Sequence, residues 1–384
     1  MTPLWEDEDR RRHEFPVVNN QIFLAHAGVT ALPRLVAQAM ADYAWDSSRQ
    51  MQEFSDALRL MGLTREVAAR IVAGHAEEVA LLGPTSLGLS LFARGLSWSP
   101  GDEILCYQED YPANVYPWLD LERQGVKIRY LQPESAGAIT PDLVAASMTP
   151  RTKLVALASC HFLTGYRIDI DSIGQVIHDH GALFSLDAIQ TVGAFPTPVT
   201  HVDFLSADAH KWMLGPMAIG IVYVKKTHFD RLHPILLGAA NVRSPNFVAQ
   251  QSIQLPDTAA RYEPGVLNMS GVVGMKAALD LLESIGSHSI SERLMTLKRQ
   301  LVEGLQDLGF AIHGPVEGPQ ASSITTCYHP DQPLPPLAKA LEQAGIIASL
   351  RHDRENRAFL RFSPHFYNTS QEIDRVLEVL HRIG

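Results

Sequence analysis

Between residues 78 and 225 the chain alternates short β-rich runs with stretches of helical periodicity, and this alternation restricts the fold more than any other feature. The runs 78–83, 103–107, 127–131, 154–160, 182–186, 202–206 and 218–224 read as strands. Segments 86–95, 116–124 and 171–180 read as helices; in the last, Ile173, Val176 and Ile177 share one face and Gly181 ends it. Strands separated by helices build a mainly parallel sheet covered on both faces, so the expected class is α/β. Ligands of such sheets collect at the carboxyl ends of the strands.

Beyond residue 263 the pattern changes. Helical stretches at 270–285 and 290–308 are followed by a Pro-rich segment at 330–336, short strands at 322–327 and 358–362, and a final helix at 370–383. The expected organisation is an N-terminal segment (1–20) packed on the small domain or on a partner, a large domain (21–262) and a smaller α+β domain (263–384). Lys and Arg total 32 against 42 Asp and Glu, a net charge of −10. That balance argues against nucleic acid or an anionic membrane as partner. No apolar run reaches the ~18 residues of a spanning helix, and the first residues lack the apolar core of a secretory signal. Three well-separated cysteines, Cys106, Cys160 and Cys327, offer neither a disulfide framework nor a metal knuckle, and a cytoplasmic setting is expected. His178 and His180 lie two apart on a helix and do not share a face, so no metal site is expected.

One stretch carries chemistry. The strand at 182–186 runs into Asp187, with Gln190 three residues on; the strand at 202–206 leads to His210-Lys211. Both ends fall on one edge of the sheet. An amine and a carboxylate placed together there suit pyridoxal phosphate. Its aldehyde needs an amine that can also move protons, and Lys211 supplies one. Its pyridine nitrogen must stay protonated for the ring to accept electrons, and a partly buried carboxylate, Asp187, favours that form. Gln190 is placed to reach the ring's 3-hydroxyl. Taken singly, Asp187 reads as a helix N-cap and Lys211 as a surface charge; the joint arrangement carries the assignment. Thr85 and Ser86, at a strand-to-helix junction, bring hydroxyls and free N–H groups to a helix N-terminus, a ready phosphate site.

With Gly215-Pro216 and the 218–224 strand following, this segment resembles the signature of the class V aminotransferases, the superfamily of cysteine desulfurases, kynureninases and isopenicillin N epimerase-like proteins. The resemblance runs from about residue 23 to 380. It implies a large domain of the type I pyridoxal-phosphate fold, with a mainly parallel sheet of seven strands, and a smaller α+β C-terminal domain. It implies that Thr85 and Ser86 hold the phosphate, that Tyr111 stacks on the ring, and that His161 lies near the 3-hydroxyl. Asp187, Gln190, His210 and Lys211 complete the implied cofactor set. His26, in the turn 23–29, and Arg361, in the segment 360–369, are the implied substrate contacts. A guanidinium fork matches the two oxygens of an α-carboxylate. The segment 261–268 resembles one that reaches across a dimer towards the other subunit's phosphate, which implies a homodimer with a shared active site. Val266 stands there in place of the usual Thr. Asp208 replaces the Ser that desulfurases set against the phosphate, and is expected to bond elsewhere.

The expected activity is that of a pyridoxal-phosphate enzyme on an α-amino acid, with Lys211 as the catalytic proton carrier. Desulfurases place a nucleophilic Cys in a loop upstream of the C-terminal Arg, and the corresponding loop here, 349–357, has none. An aminotransferase is the first reading. A β-eliminating C–S lyase working without that Cys is the alternative, and a catalytically retired binding protein of the same fold is a second. Arg351 reads either as a contact for a second acidic group on the substrate or as a solvated loop charge.

Overall fold

A computed structural model describes residues 3–383; Met1, Thr2 and Gly384, at the outer ends of the expected N-terminal segment and small domain, lie outside the described residues. The elements run α1 (Glu8–Glu14), β1 (Ile22–Phe23), α2 (Arg34–Arg49), α3 (Phe54–Ile71), β2 (Val79–Leu81), α4 (Thr85–Gly95), β3 (Glu103–Cys106), α5 (Tyr116–Leu119), β4 (Lys127–Tyr130), α6 (Pro141–Ser147), β5 (Thr152–Ala158), α7 (Ile170–Asp179), β6 (Leu183–Asp187), β7 (Phe204–Asp208) and β8 (Gly220–Val224). There follow α8 (Met269–Ile285), α9 (Ser287–Asp307), β9 (Ala311–Ile312), β10 (Thr325–Tyr328), α10 (Leu334–Gln343), β11 (Ile346–Ile347), β12 (Ser349–His352), β13 (Ala358–Phe362) and α11 (Ser370–Ile383).

Seven strands form one sheet in the order β2-β8-β7-β6-β5-β3-β4. The pairs from β7 to β4 are parallel, and β8 alone runs against its neighbours β2 and β7. The carboxyl ends of β2, β3, β5, β6 and β7 therefore share an edge. Strand residues alternate between two buried clusters. Val79, Leu105, Val155, Leu157, Phe184, Leu186 and Leu205 join one. Ala80, Ile104, Leu154, Ala156, Leu183 and Phe204 join the other. Burial of both faces explains why these strands read as nearly continuous apolar runs. The helix α4 lies so close to the sheet that a Cβ on Gly88 would come 2.4 Å from Ser206 Oγ. That approach fixes where the first turn of α4 meets the strand edge.

Local chemistry sets the element ends. In α7 the Asp169 side chain accepts from Ser172 N at 3.0 Å, and Gly181, at φ 74°, takes the chain out. The single helix expected at 116–124 is instead the four-residue α5 followed by a 3-10 turn, Asp120–Gln124. Gly125, at φ 81°, donates to Glu122 O three residues back, the spacing of the tighter helix. The Pro-rich segment opens α10, because Pro335 and Pro336 occupy a first turn where no N–H is needed.

A second sheet, β12-β13-β10-β9, carries Arg361 on β13. Its helices bury Leu301, Leu305, Leu337, Val376 and Leu380 in a third cluster. Helix α8, expected with this C-terminal portion, packs on α2 and α3 and joins the core cluster of the large sheet. At the N-terminus, Arg11 donates to Glu372 at 2.9 Å and Phe15 stacks on Tyr367 at 3.9 Å, tying α1 and the residue after it to the C-terminal elements.

Candidate active site

At the shared carboxyl edge lies a cavity of about 340 Å³ whose walls include Thr85, Ser86, Tyr111, Asp187, Gln190, His210, Lys211, Arg351 and Arg361. Each comes from a strand end or the turn after it, except the two arginines, which the β12–β13 hairpin brings over from the second sheet.

Lys211 is 7% exposed and its Nζ sits 5.4 Å from the centre of the Tyr111 ring. Burial pulls its pKa down to about 8, against the pull of Asp187 and with the help of the Arg361 and Arg351 charges. Burial likewise pushes Asp187 up to about 6, against a hydrogen bond from Ile189 N and the charge of Lys211. Opposite charges would move both values the other way, so desolvation outweighs the pairing.

Around this pair the walls are cross-braced. Gln190 Nε2 donates to Ala27 O at 3.2 Å, and its Oε1 accepts from Trp212 Nε1 at 2.8 Å. Thr85 Oγ1 accepts from Asp208 N at 2.9 Å, joining the start of α4 to the end of β7. The first turn of α4 has no side-chain cap. Leu87 N donates to Pro84 O, so the Thr85 and Ser86 N–H groups and the helix dipole are left as an anion site beside the Ser86 hydroxyl. Asp208 commits its carboxylate to Ala209 N, and His210 Nδ1 lies 2.9 Å from its other oxygen, too bent for a hydrogen bond. His365 holds the turn after Lys211: its Nδ1 accepts from Phe366 N at 2.8 Å, so the Nε2–H donates to Trp212 O at 3.0 Å.

Arg361 is 2% exposed. Its Nη1 donates to Phe162 O at 2.6 Å, while Nε and Nη2 have no partner. Burial, then the Arg351 charge, pulls its pKa down to about 9. Arg351 Nε is also unpartnered. Buried, unpaired donors are costly, and two facing guanidiniums call for an anion.

Two expected contacts lie elsewhere. His26 is fully buried, with Nδ1 2.9 Å from Ser363 O and Nε2 2.8 Å from Tyr367 Oη, so both ring nitrogens are engaged behind the wall. Its turn offers Ala27, Gly28 and Val29 to the cavity instead. His161 bonds Thr164 Oγ1 and Glu109 O, each at 3.0 Å, and faces a neighbouring cavity. Phe162 is the residue this segment sets on the wall. The chain leaves the sheet after β5, and in the turn that follows Phe162 reaches both cavities while His161 reaches only the neighbouring one. The adjacent aromatic was the available signal for Phe162.

The family model of the class-V aminotransferases matches residues 22–376. The chain belongs to this family. Among its class V relatives, a probable cysteine desulfurase of Methanothermobacter thermautotrophicus is 28% identical over 402 residues, covering 98% of each chain. A cysteine desulfurase of Klebsiella pneumoniae subsp. pneumoniae is 25% identical over 401 residues, covering 97% of each. Among solved structures, the apo cysteine desulfurase from Thermococcus onnurineus NA1 matches with a TM-score of 0.90 at 24% identity, over 98% of this chain and 97% of that one. The cystine C–S lyase C-DES, in complex with its reaction product cysteine persulfide, matches with a TM-score of 0.85 at 20% identity, over 96% and 99%.

The protein is thus a class V enzyme that depends on pyridoxal phosphate, and the cavity fits that cofactor. A desolvated amine faces a buried carboxylate, an aromatic ring lies over the amine, and an uncapped helix start waits for the phosphate. A depressed amine pKa has a readable consequence. Below about 8 the Lys211 amine is mostly protonated, and only the neutral form takes up an aldehyde. Covalent capture of pyridoxal phosphate by the apo protein should therefore accelerate about fivefold from pH 7 to 8, gain at most about twofold more above that, and level off near pH 9. Stopped-flow absorbance checks this; a rate still climbing steeply through pH 10 would show an ordinary lysine.

Proposed function

We propose that the protein is a β-eliminating C–S lyase that cleaves the Cβ–S bond of cysteine or a disulfide derivative of it and hands the sulfur to solution rather than to a thiol of its own. The relatives named cysteine desulfurase support sulfur chemistry over the transamination that the sequence put first. The observation that carries the rest is the state of the thiols. Cys106, Cys160 and Cys327 are fully buried, none lines the cavity, and burial pushes the first two up to about 12 and about 11 and the third higher still. The β12–β13 hairpin, which carries Arg351, has no Cys. No thiolate is available to receive sulfur.

Bound pyridoxal phosphate supplies an electron sink for the carbanion formed at the substrate Cα. The protein's own groups do the rest in this reading. Arg361 grips the α-carboxylate with Nε and Nη2, which have no partner among the described residues. That grip aims the Cα–H at Lys211 Nζ, the proton carrier. With a pKa lowered to about 8 the amine is neutral, and able to accept the proton, far more often near pH 7–8 than an ordinary lysine. Asp187 would favour the protonated pyridine nitrogen, Tyr111 would stack on the ring, and Ser86 with the α4 N-terminus would hold the phosphate. Gln190, braced by Ala27 and Trp212, sets the wall beside the ring.

Dimerisation belongs to the same reading. Trp45, Met51, Phe54 and Leu58 on and between α2 and α3, with Phe247, Val248, Ile253 and Val266, leave apolar side chains in solvent, and the Phe54 and Phe247 rings meet at 6.2 Å. Exposed apolar side chains of this kind, Val266 of the segment 261–268 among them, fit a second copy of the chain. Sedimentation should return twice the chain mass; a fully active monomer would refute the shared site.

Products decide the reaction. Incubated with cystine or cysteine, the purified enzyme should release pyruvate and ammonia with sulfide or a soluble persulfide, and Lys211→Ala should abolish this. New amino acid formed from an added keto acid, with no pyruvate, would return the assignment to transamination. Arg361→Ala should raise the Michaelis constant about 30-fold or more, since loss of one side of a charged pair costs ~2–5 kcal/mol. Its melting temperature should stay close to that of the parent, because two of the removed donors have no partner in the fold. A destabilised variant with an unchanged Michaelis constant would make Arg361 structural.

A further inference from the structure

A second buried carboxylate stands behind Asp187. Asp110 is 6% exposed in the turn after β3, immediately before Tyr111. Its Oδ2 accepts from Ala158 N at 3.1 Å and from Asn114 Nδ2 at 3.0 Å. Ala158 ends β5 and is the register partner of Asp187 on β6, and the next N–H, of Ser159, donates to Asp187 O. The Asp110 carboxylate is thus bonded to the backbone beside the one from which Asp187 projects. Asp187 lines the cofactor cavity and Asp110 the neighbouring one, with Phe162 on the wall of both. Among the described residues neither carboxylate has an ion-pair partner within 4 Å.

We propose that Asp110 and Asp187 share one proton in the cofactor-free protein, and that Asp110, acting through Asp187, raises the proton affinity of the pyridine nitrogen once pyridoxal phosphate is bound. Two adjacent buried carboxylates do not both ionise readily. Burial, then the charge of Asp187, pushes Asp110 up to about 7. The other titratable groups facing Asp110 do not compensate its charge. Cys106, Cys160 and Tyr107 are held neutral by pKa values raised to between about 11 and about 12. His161, on the same cavity wall, is lowered to about 4 by burial and is neutral too. Lys211 bears on Asp187. A protonated pyridine nitrogen supplies the positive charge that lets both carboxylates ionise. Asp110 is therefore a positioning residue: it tunes the ring through its neighbour, and it anchors Tyr111 by holding the turn to β5.

This inference rests on the cofactor reading above, and its test separates the two. Asp110→Asn removes the charge and keeps an oxygen that can accept from both Ala158 N and Asn114 Nδ2. The parent and variant are loaded with pyridoxal phosphate labelled with ¹⁵N in the ring, and the nitrogen shift is followed against pH. The parent nitrogen should stay protonated to a pH at least one unit higher than the variant nitrogen, a tenfold difference in proton affinity. Coincident titrations, with the cofactor still joined to Lys211, would overturn the proposal alone; no covalent cofactor in the parent would overturn the underlying reading. If Asp110→Asn does not fold, infrared difference spectra of the parent decide. Near pH 6 the apo protein should show a protonated carboxyl band that disappears on loading, and its persistence or absence would refute the shared proton.

Discussion

Parallel pairing of β5, β6 and β7 in fixed register is what the whole site depends on. It brings Asp187 and the turn bearing Lys211 to one edge and lets backbone, rather than flexible side chains, set their spacing. Both faces of the sheet are packed, so the edge is also dry. Dryness is the chemical agent here. It moves Lys211 and Asp187 towards neutrality although each faces the other's opposite charge, and it moves Asp110 the same way with the Asp187 charge adding to the push. A sheet that exposed one face would leave the same residues as ordinary surface charges.

The features legible in the sequence were those that repeat or that have a narrow chemical purpose. Strands buried on both faces announce themselves as apolar runs, and β2 to β8 were read within a few residues of their ends. Asp187, Gln190 and Lys211 were visible because the chain placed them at successive strand ends. Arg361 was visible from its segment. Helices α2 and α3 were missed for a physical reason: Trp45, Phe54 and Leu58 lie on outward faces, which blurs the apolar stripe that a periodicity argument needs. At this segment the structure sets Phe162, and not the expected His161, on the wall of the cavity. Nothing in the sequence says which side of a turn a side chain will take once it has left the sheet.

Asp110 was hidden for a deeper reason. Its importance comes from a bond to Ala158, 48 positions away, and from the register that sets Ala158 opposite Asp187. A carboxylate before an aromatic in a turn looks like any turn-forming Asp until the third strand is in place. The same holds for the arginines. Sequence shows two guanidiniums ten residues apart, but only the β12–β13 pairing shows that they meet and that neither finds an anion among the described residues.

The His365 link has a mechanical consequence. Its imidazole is fixed as a neutral tautomer, with Nδ1 taking a backbone proton and Nε2 giving one to the carbonyl of Trp212, the residue after Lys211. The strand bearing Arg361 ends three residues before His365. Arg361, the proposed carboxylate clamp, and Lys211, the proposed proton carrier, are therefore mounted on one stiff bracket that sets the gap between them. Such a site measures its ligand like a gauge of fixed span. In the proposed reading, amino acids whose carboxylate and Cα–H match that span would be the ones processed, and the choice among them would fall to the side-chain end of the cavity.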